Sequence, residues 1–206
     1  MRLARLATVL ILALPAAGCG YNQIQALDEK AEAAKSNVGV QLTARNQLIP
    51  NLVATVKGAA EFERGTFTDV AKARAAQQQV ATAEQGLSQA REQMDAAVKS
   101  GSVPQMQQAD AAVTRQIGTY INVSREAYPN LQATQNFRGL QDQLAESENR
   151  IAVARQDYNE AVRNYNTYIR SFPQAITART TGAQRKEPYQ APAGSEAAPS
   201  VNFNTP

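Results

Sequence analysis

The sequence predicts an all-α fold, a long up-and-down antiparallel four-helix bundle, on three observations. Alanine supplies 38 of the 206 residues, Gln, Glu, Lys and Arg are plentiful, and aromatics make up only 6%. Ala is the strongest helix former and the others follow it closely, so this mixture favours long helices over a sheet. Internal prolines at 50, 104, 129 and 173 leave stretches of about 20 to 50 residues broken by nothing stronger than single glycines. Within those stretches apolar residues recur at three, four and seven positions, the period of one helix face and of a coiled coil. The length suits one domain with tails.

The first twenty residues read as an export signal. Arg2 and Arg5 precede an apolar run from Leu6 to Leu14, followed by Pro15-Ala16-Ala17-Gly18-Cys19-Gly20. These are a charged n-region, a short h-region and a small-residue cleavage zone. A helix from Leu3 to Ala17 would be about 22 Å long, short of the about 30 Å of bilayer hydrocarbon. The small residues ending at Cys19 resemble the lipobox of bacterial lipoproteins, where the thiol is acylated and the cut falls before the cysteine. Ala16 departs from that pattern, which most often has Leu there. Residues 1–18 are read as a lipoprotein-type signal peptide and Cys19 as the lipidation site; a retained N-terminal anchor helix and secretion with a free thiol are the alternatives. One acyl chain binds a membrane only reversibly, at about 0.8 kcal/mol per buried methylene, so stable anchoring needs two or more. Gly20 stands where inner-membrane lipoproteins often carry Asp, which points secondarily to the outer membrane. Without residues 1–18 the basic count falls from 21 to 19 against 18 acidic residues, and the net charge from +3 to about +1. The basicity belongs partly to the signal, and nucleic acid is not an expected partner.

Four stripes follow. Ile24, Leu27, Ala31, Ala34, Val38, Leu42, Ile49, Leu52 and Val56 form the first, interrupted by Gln41 and Arg45 and crossed by Pro50. A kink at Pro50 is the preferred expectation and a true break at Ile49-Pro50 the alternative. This segment should stop between Gly58 and Gly65, with both glycines as terminators. A second stripe runs from Phe67 through Val70, Val80, Leu87 and Met94 to Ala97, so rich in alanine that a neighbouring backbone can come close. After the turn Ser100-Gly101-Ser102-Val103-Pro104 a third runs from Met106 to Ala127 and ends at Tyr128-Pro129, where proline cannot continue the helix. In the fourth, Phe137, Leu144, Ile151, Tyr158, Tyr165 and Phe172 are spaced by seven. Such a row needs partner helices to cover it. The bundle is therefore placed at 19–173. Residues 174–206, rich in Pro, Ala and Gly, read as a disordered tail.

The composition excludes much chemistry. With no His there is no imidazole base, no Ser-His-Asp triad and no zinc site of the usual kinds, and one Cys forms neither an internal disulfide nor a cluster. Glu61 and Glu63, or Glu146 and Glu148, are two residues apart and do not share a helix face. The glycines are isolated and form no phosphate loop; Gly86, Gly118 and Gly139 would permit close helix approach. No catalytic, cofactor-binding or metal-binding residue is assigned, and no cofactor is expected. Tyr158, Tyr165, Tyr168 and Phe172 are read as core, not as a ligand strip. A polar cluster of Arg45, Asn51, Glu148, Asn149, Arg150 and Asn159 is expected to fix helix register, with a contact patch for a partner as the other reading. On the first reading Arg150→Ala should lower the melting temperature.

Several runs resemble one family. They are Leu48-Ile49-Pro50-Asn51-Leu52-Val53, Thr55-Val56-Lys57-Gly58, Ala73-Arg74, Glu126-Ala127-Tyr128-Pro129-Asn130-Leu131, Asn136-Phe137 with Leu140-Gln141, and Glu148-Asn149-Arg150-Ile151-Ala152 with Tyr158-Asn159. In this order they resemble the bacterial LemA family along nearly all of residues 21–173. Two departures are the lipobox-like cysteine, where many members carry a longer transmembrane helix, and Phe62-Glu63, where the family often has His-Glu. The resemblance implies a helical bundle held at a membrane with its domain outside the cytoplasm, and no settled activity. It also implies kinship with proteins often found beside TPM-domain proteins, and with one relative that takes part in magnetosome membrane formation. The expected protein is a periplasm-facing, lipid-anchored scaffold or interaction protein of the cell envelope, not an enzyme, with another envelope protein as partner and oligomerisation left open. A membrane-binding or remodelling protein acting through an amphipathic face is the alternative, and a cryptic hydrolase the remote one.

Overall fold

Every element assigned in the computed structural model, which describes residues 2–63 and 70–190, is helical. The helices are α1 (Arg2–Asn46), α2 (Ile49–Glu63), α3 (Val70–Ser100), α4 (Val103–Ala127), α5 (Gln135–Tyr168) and α6 (Gln174–Thr181), with a 3₁₀ turn at Pro129–Ala133 between α4 and α5. The all-α class is as the sequence predicts. The chain divides into two units: Met1–Leu48 with Gly139–Pro188, and Ile49–Arg138 with the chain from Tyr189 on.

In the first unit α1 and α5 run antiparallel. Ile24, midway along α1, packs with Tyr165 and Ile169 at the end of α5, while Arg45 at the end of α1 meets Glu148 nearer the middle of α5. The seven-residue row is buried at Leu144, Ile151, Tyr158 and Tyr165, and at Phe137 in the second unit, as its spacing predicts. Phe172 departs from it and is 84% exposed. The helix ends at Tyr168, ahead of Pro173, so Phe172 leaves the register that would have carried it inward.

The second unit contains an antiparallel hairpin of α3 and α4. Gly101 turns the chain at φ 65°, a left-handed conformation that side-chain-bearing residues rarely adopt. Pro104 sits in the first turn of α4, where its missing N–H leaves no helical bond unmade. Gly86 allows the close approach expected of it: a Cβ there would lie 2.9 Å from Gln116 Oε1. Gly118 and Gly139 have open space around them and play no such part.

Two expectations need correction. The first stripe is broken, not kinked: α1 stops at Asn46, Gln47 and Leu48 close it with bonds back to Thr43 and Arg45, and α2 begins at Ile49. Pro50 then falls in the first turn of the new helix, where proline is tolerated. Gly58 lies inside α2 and terminates nothing; Gly65 and Phe67 lie outside the described residues.

Residues 174–190 also differ from the expected tail. Ala178 of α6 joins Ile24, Tyr165 and Ile169 in a buried cluster. Gly182 then caps α6 at φ 70°, the Ala183 N–H donates to the Ala178 carbonyl, and an extended segment follows. Residues 191–206, the rest of that expectation, lie outside the described residues. A chain ended after residue 173 should therefore unfold at a lower urea midpoint than one ended after residue 190, because the shorter chain uncovers Ile24, Tyr165 and Ile169.

Candidate functional site

Two features stand out, one in each unit. In the first, Lys186 lies on the face shared by α1 and α5. Its Nζ is 2.6 Å from Glu32 Oε1 and 3.1 Å from Asp28 Oδ1, both on α1 and one helical turn apart. Its backbone N–H donates to Asn166 Oδ1, and its carbonyl accepts from Asn166 Nδ2 at 2.8 Å. The ammonium also stands 5.4 Å from the centre of the Tyr165 ring. The Tyr158 hydroxyl donates to the next carbonyl, that of Glu187, at 2.8 Å.

Burial works against the Lys186 charge, but the hydrogen bonds and attraction of Glu32 and Asp28 outweigh it and raise its pKa above the ordinary lysine value. Hydrogen bonds from Lys186 and then Lys35 hold Glu32 below the ordinary carboxylate value of 4.5. Burial first, then the nearby Glu32, lifts the Tyr158 phenol. The lowered carboxyl stabilises the fold above its unfolded pKa and loses that contribution as pH falls through the folded one. The raised ammonium stabilises below its unfolded pKa and loses its share as pH rises through the folded one. Urea midpoints of Lys186→Met should thus fall furthest below those of the parent between about pH 5 and pH 10, with the gap closing at both extremes.

The expected polar cluster forms only in part. Arg45 is 2% exposed and its Nη1 donates to Glu148 Oε2 at 2.8 Å, with Arg155 Nη2 at 3.9 Å from the other carboxylate oxygen. Arg150 is not a member: it is exposed and pairs with Glu146 on its own helix at 2.9 Å. Asn149 is exposed, and Asn159 is half-buried beside a different cleft. Asn51 is exposed in the first turn of α2, in the other unit. Cys19 lies within α1, and its side chain is outside what the structure describes. Arg45→Ala, losing the buried stem as well as the ion pair, should cost roughly 2 kcal/mol in chemical denaturation. Arg150→Ala should stay within about 0.5 kcal/mol of the parent, contrary to the expectation from sequence.

The second feature is a groove of about 620 Å³ between α2 and the 3₁₀ turn. Ala54, Thr55, Gly58, Ala59 and Phe62 line one side, and Asn130, Leu131, Ala133, Thr134 and Asn136 the other. Leu131 is fully buried, while Phe62 is 81% exposed. Glu63 holds the two sides together: it is 4% exposed and its Oε1 accepts the Asn130 N–H at 3.0 Å. A Cβ on Gly58 would meet nothing within 4 Å, so the missing side chain widens the groove. Elsewhere in this unit the Tyr189 hydroxyl donates to Asp110 Oδ2 at 3.0 Å, with both residues buried.

Sequence reasoning missed Lys186, Asp28, Glu32, Asn166, Tyr189 and Asp110. The available signal was the spacing of Asp28 and Glu32, which puts two carboxylates on one helix face in want of a cation. It also missed the groove, although Thr55, Gly58, Asn130, Leu131 and Asn136 all belong to the runs that carry the family resemblance. Among the described residues no group of three or more His, Cys, Asp and Glu could hold a metal ion, and no helix is long and apolar enough to cross a membrane.

Fold and groove together define an all-helical protein whose apolar opening is built from two short backbone segments joined by one carboxylate. The chain belongs to the LemA family, whose profile matches residues 34–203. It is 30% identical over 186 residues to the magnetosome proteins MamQ 1 and MamQ 2 of Paramagnetospirillum magneticum, and 27% identical to the magnetosome protein MamQ of Magnetospirillum gryphiswaldense. Each match covers 84% of this chain, and the chain spans 66% of the length of those relatives. Neither the family description nor the relatives' names denote an enzyme.

Proposed function

We propose that this chain is a non-catalytic interaction protein of the bacterial cell envelope, anchored at the membrane through lipid on Cys19 with its helical units on the periplasmic side. In this reading the groove of α2 and the 3₁₀ turn receives an apolar segment of another envelope protein. The observation that carries it is the makeup of the groove. Its walls are mostly alanine, threonine, leucine and phenylalanine with two asparagines, and Thr55, Gly58, Asn130, Leu131 and Asn136 of the family-resembling runs lie along it. Its one carboxylate is bound to a backbone N–H, which suits a strut better than a general base. The small residues and polar backbone rim suit an apolar side chain presented on a strand or helix. The family resemblance makes a TPM-domain protein the first candidate partner. The relatives' magnetosome names favour work at a membrane surface.

Two measurements test the reading separately. Cys19→Ala should leave the membrane fraction; a variant that still sediments with membranes after salt washing means that lipid on Cys19 is not the anchor. For the groove, a photo-crosslinking residue at position 62 should capture one discrete envelope protein in cells. Gly58→Leu should fill the groove and abolish that product while the urea midpoint stays at or above that of the parent, since leucine is the better helix residue. A crosslink that survives Gly58→Leu would place the partner elsewhere.

A further inference from the structure

The end of the first unit next to Cys19 carries a basic and apolar surface that the groove reading leaves unused. Gly20, one residue past Cys19, lies against α6: a Cβ there would sit 3.7 Å from Thr177 Oγ1 and 3.8 Å from Gln174 Cγ. Ile24, one turn later, packs on Ala178. α6 thus runs alongside the stretch of α1 that follows Cys19, and the turn Ser171-Phe172-Pro173 falls at the level of the anchor. At that turn Phe172 is 84% exposed; Ile176 on α6 is 59% and Tyr21 on α1 is 45% exposed. Three large apolar side chains therefore face solvent within a few residues of the position where the chain meets its anchor.

Charge is segregated at the same end. No Asp or Glu occurs from Ala161 to Lys186, a stretch that holds Arg163, Arg170, Arg179, Arg185 and Lys186, and none occurs from Gly20 to Leu27. Lys186 is taken by Asp28 and Glu32, whereas no ion pair among the described residues holds any of the four arginines. Arg163, Arg170 and Arg185 border one cleft of about 480 Å³ together with Asn159, Asn166 and Thr167. Arg170 lies beside the turn and Arg163 two helical turns away, about 10 Å along α5; that is somewhat more than the roughly 5–8 Å headgroup layer of one leaflet, a difference a long arginine side chain can span.

We infer that this end is a membrane foot: Phe172, Ile176 and Tyr21 enter the interface of an anionic phospholipid bilayer, and Arg163, Arg170, Arg179 and Arg185 bind its headgroup phosphates. The inference rests on the anchored reading above, because the anchor brings the surface to the bilayer. Exposed aromatic and aliphatic side chains beside arginines are what an interfacial surface requires, and among the described residues no ion pair holds the four arginines. The foot would fix the tilt of α1 and α5 on the membrane, which an acyl chain on a single residue cannot do.

The chain contains no Trp, so Phe172→Trp introduces a single reporter at an exposed position. The full-length protein, purified from membranes, is reconstituted into phosphatidylcholine vesicles with and without phosphatidylglycerol. The expected result is flotation with the vesicles, a blue-shifted indole emission and quenching by lipids brominated near the headgroup. Ile176→Trp should behave alike. Val153→Trp, at an exposed site on α5 about 24 Å from Ile169, should stay unquenched. Arg170→Gln with Arg179→Gln should lower the docked-to-undocked ratio on anionic vesicles about fivefold per arginine, from roughly 1 kcal/mol each.

Flotation with the indoles at positions 172 and 176 left in water overturns the foot and leaves the anchor standing. Quenching equal with and without phosphatidylglycerol overturns the role of the arginines. Emission shifted in native membranes but not in protein-free vesicles assigns the surface to a protein and overturns the lipid. Failure to float overturns the anchor, and the foot with it.

Discussion

The side chain of Lys186 is the point on which the first unit depends. Two antiparallel helices bury one stripe each and leave their shared flank open. At the end next to Cys19 that flank exposes Ile24, Tyr165 and Ile169. α6 covers them, but a helix of eight residues is far too short to hold itself together in isolation. It is held from both ends: by the turn out of α5, and by the return of the chain through Gly182 to Lys186. There the ammonium bridges Asp28 and Glu32 on α1, and Asn166 on α5 binds the peptide on either side of the same residue. One residue thereby joins α1, α5 and the segment after α6. Lys35, one turn further along α1, pairs with Glu32 as well, so Lys186 completes the neutralisation of the two carboxylates.

This arrangement explains why the sequence was readable in the long helices and opaque beyond them. A seven-residue row such as Phe137 to Tyr165 is a periodic signal, repeated until it cannot be accidental, and burial follows it closely. The order of residues 174–190 comes instead from a few particular contacts: an ammonium, an amide and two phenol hydroxyls. Such contacts leave no period, and they occur in a stretch whose Thr, Gly, Gln and Pro content suggests disorder. Phe172 shows the reverse error. Its spacing places it in the core, but the proline after it ends the helix and turns the same side chain outward.

The polar cluster was legible in outline and wrong in membership for a reason of helical phase. Arg45 follows Leu42 by three residues and Val38 by seven on the same helix, so it shares their buried face and carries its charge inward. Glu148 follows Leu144 by four and meets it. Arg150 is two residues past Glu148, about 200° around the helix, and phase alone turns it to solvent. Proximity in sequence grouped residues that the helix separates. What forms is a register pin, Arg45 with Glu148 and Arg155 nearby, in which a buried guanidinium is matched by a carboxylate that stays half in water.

Gly58 and Gly86 separate structure from function most clearly. Both sit inside helices, where glycine costs about 1 kcal/mol relative to alanine. At Gly86 packing explains the cost, since a Cβ would press on Gln116. At Gly58 packing explains nothing: the space where a Cβ would go is empty. Gly118 and Gly139 are equally open, so openness alone marks no site; what sets Gly58 apart is that it also lines the groove beside α2. There it stands on the same wall as Phe62, across from the backbone that Glu63 holds at Asn130.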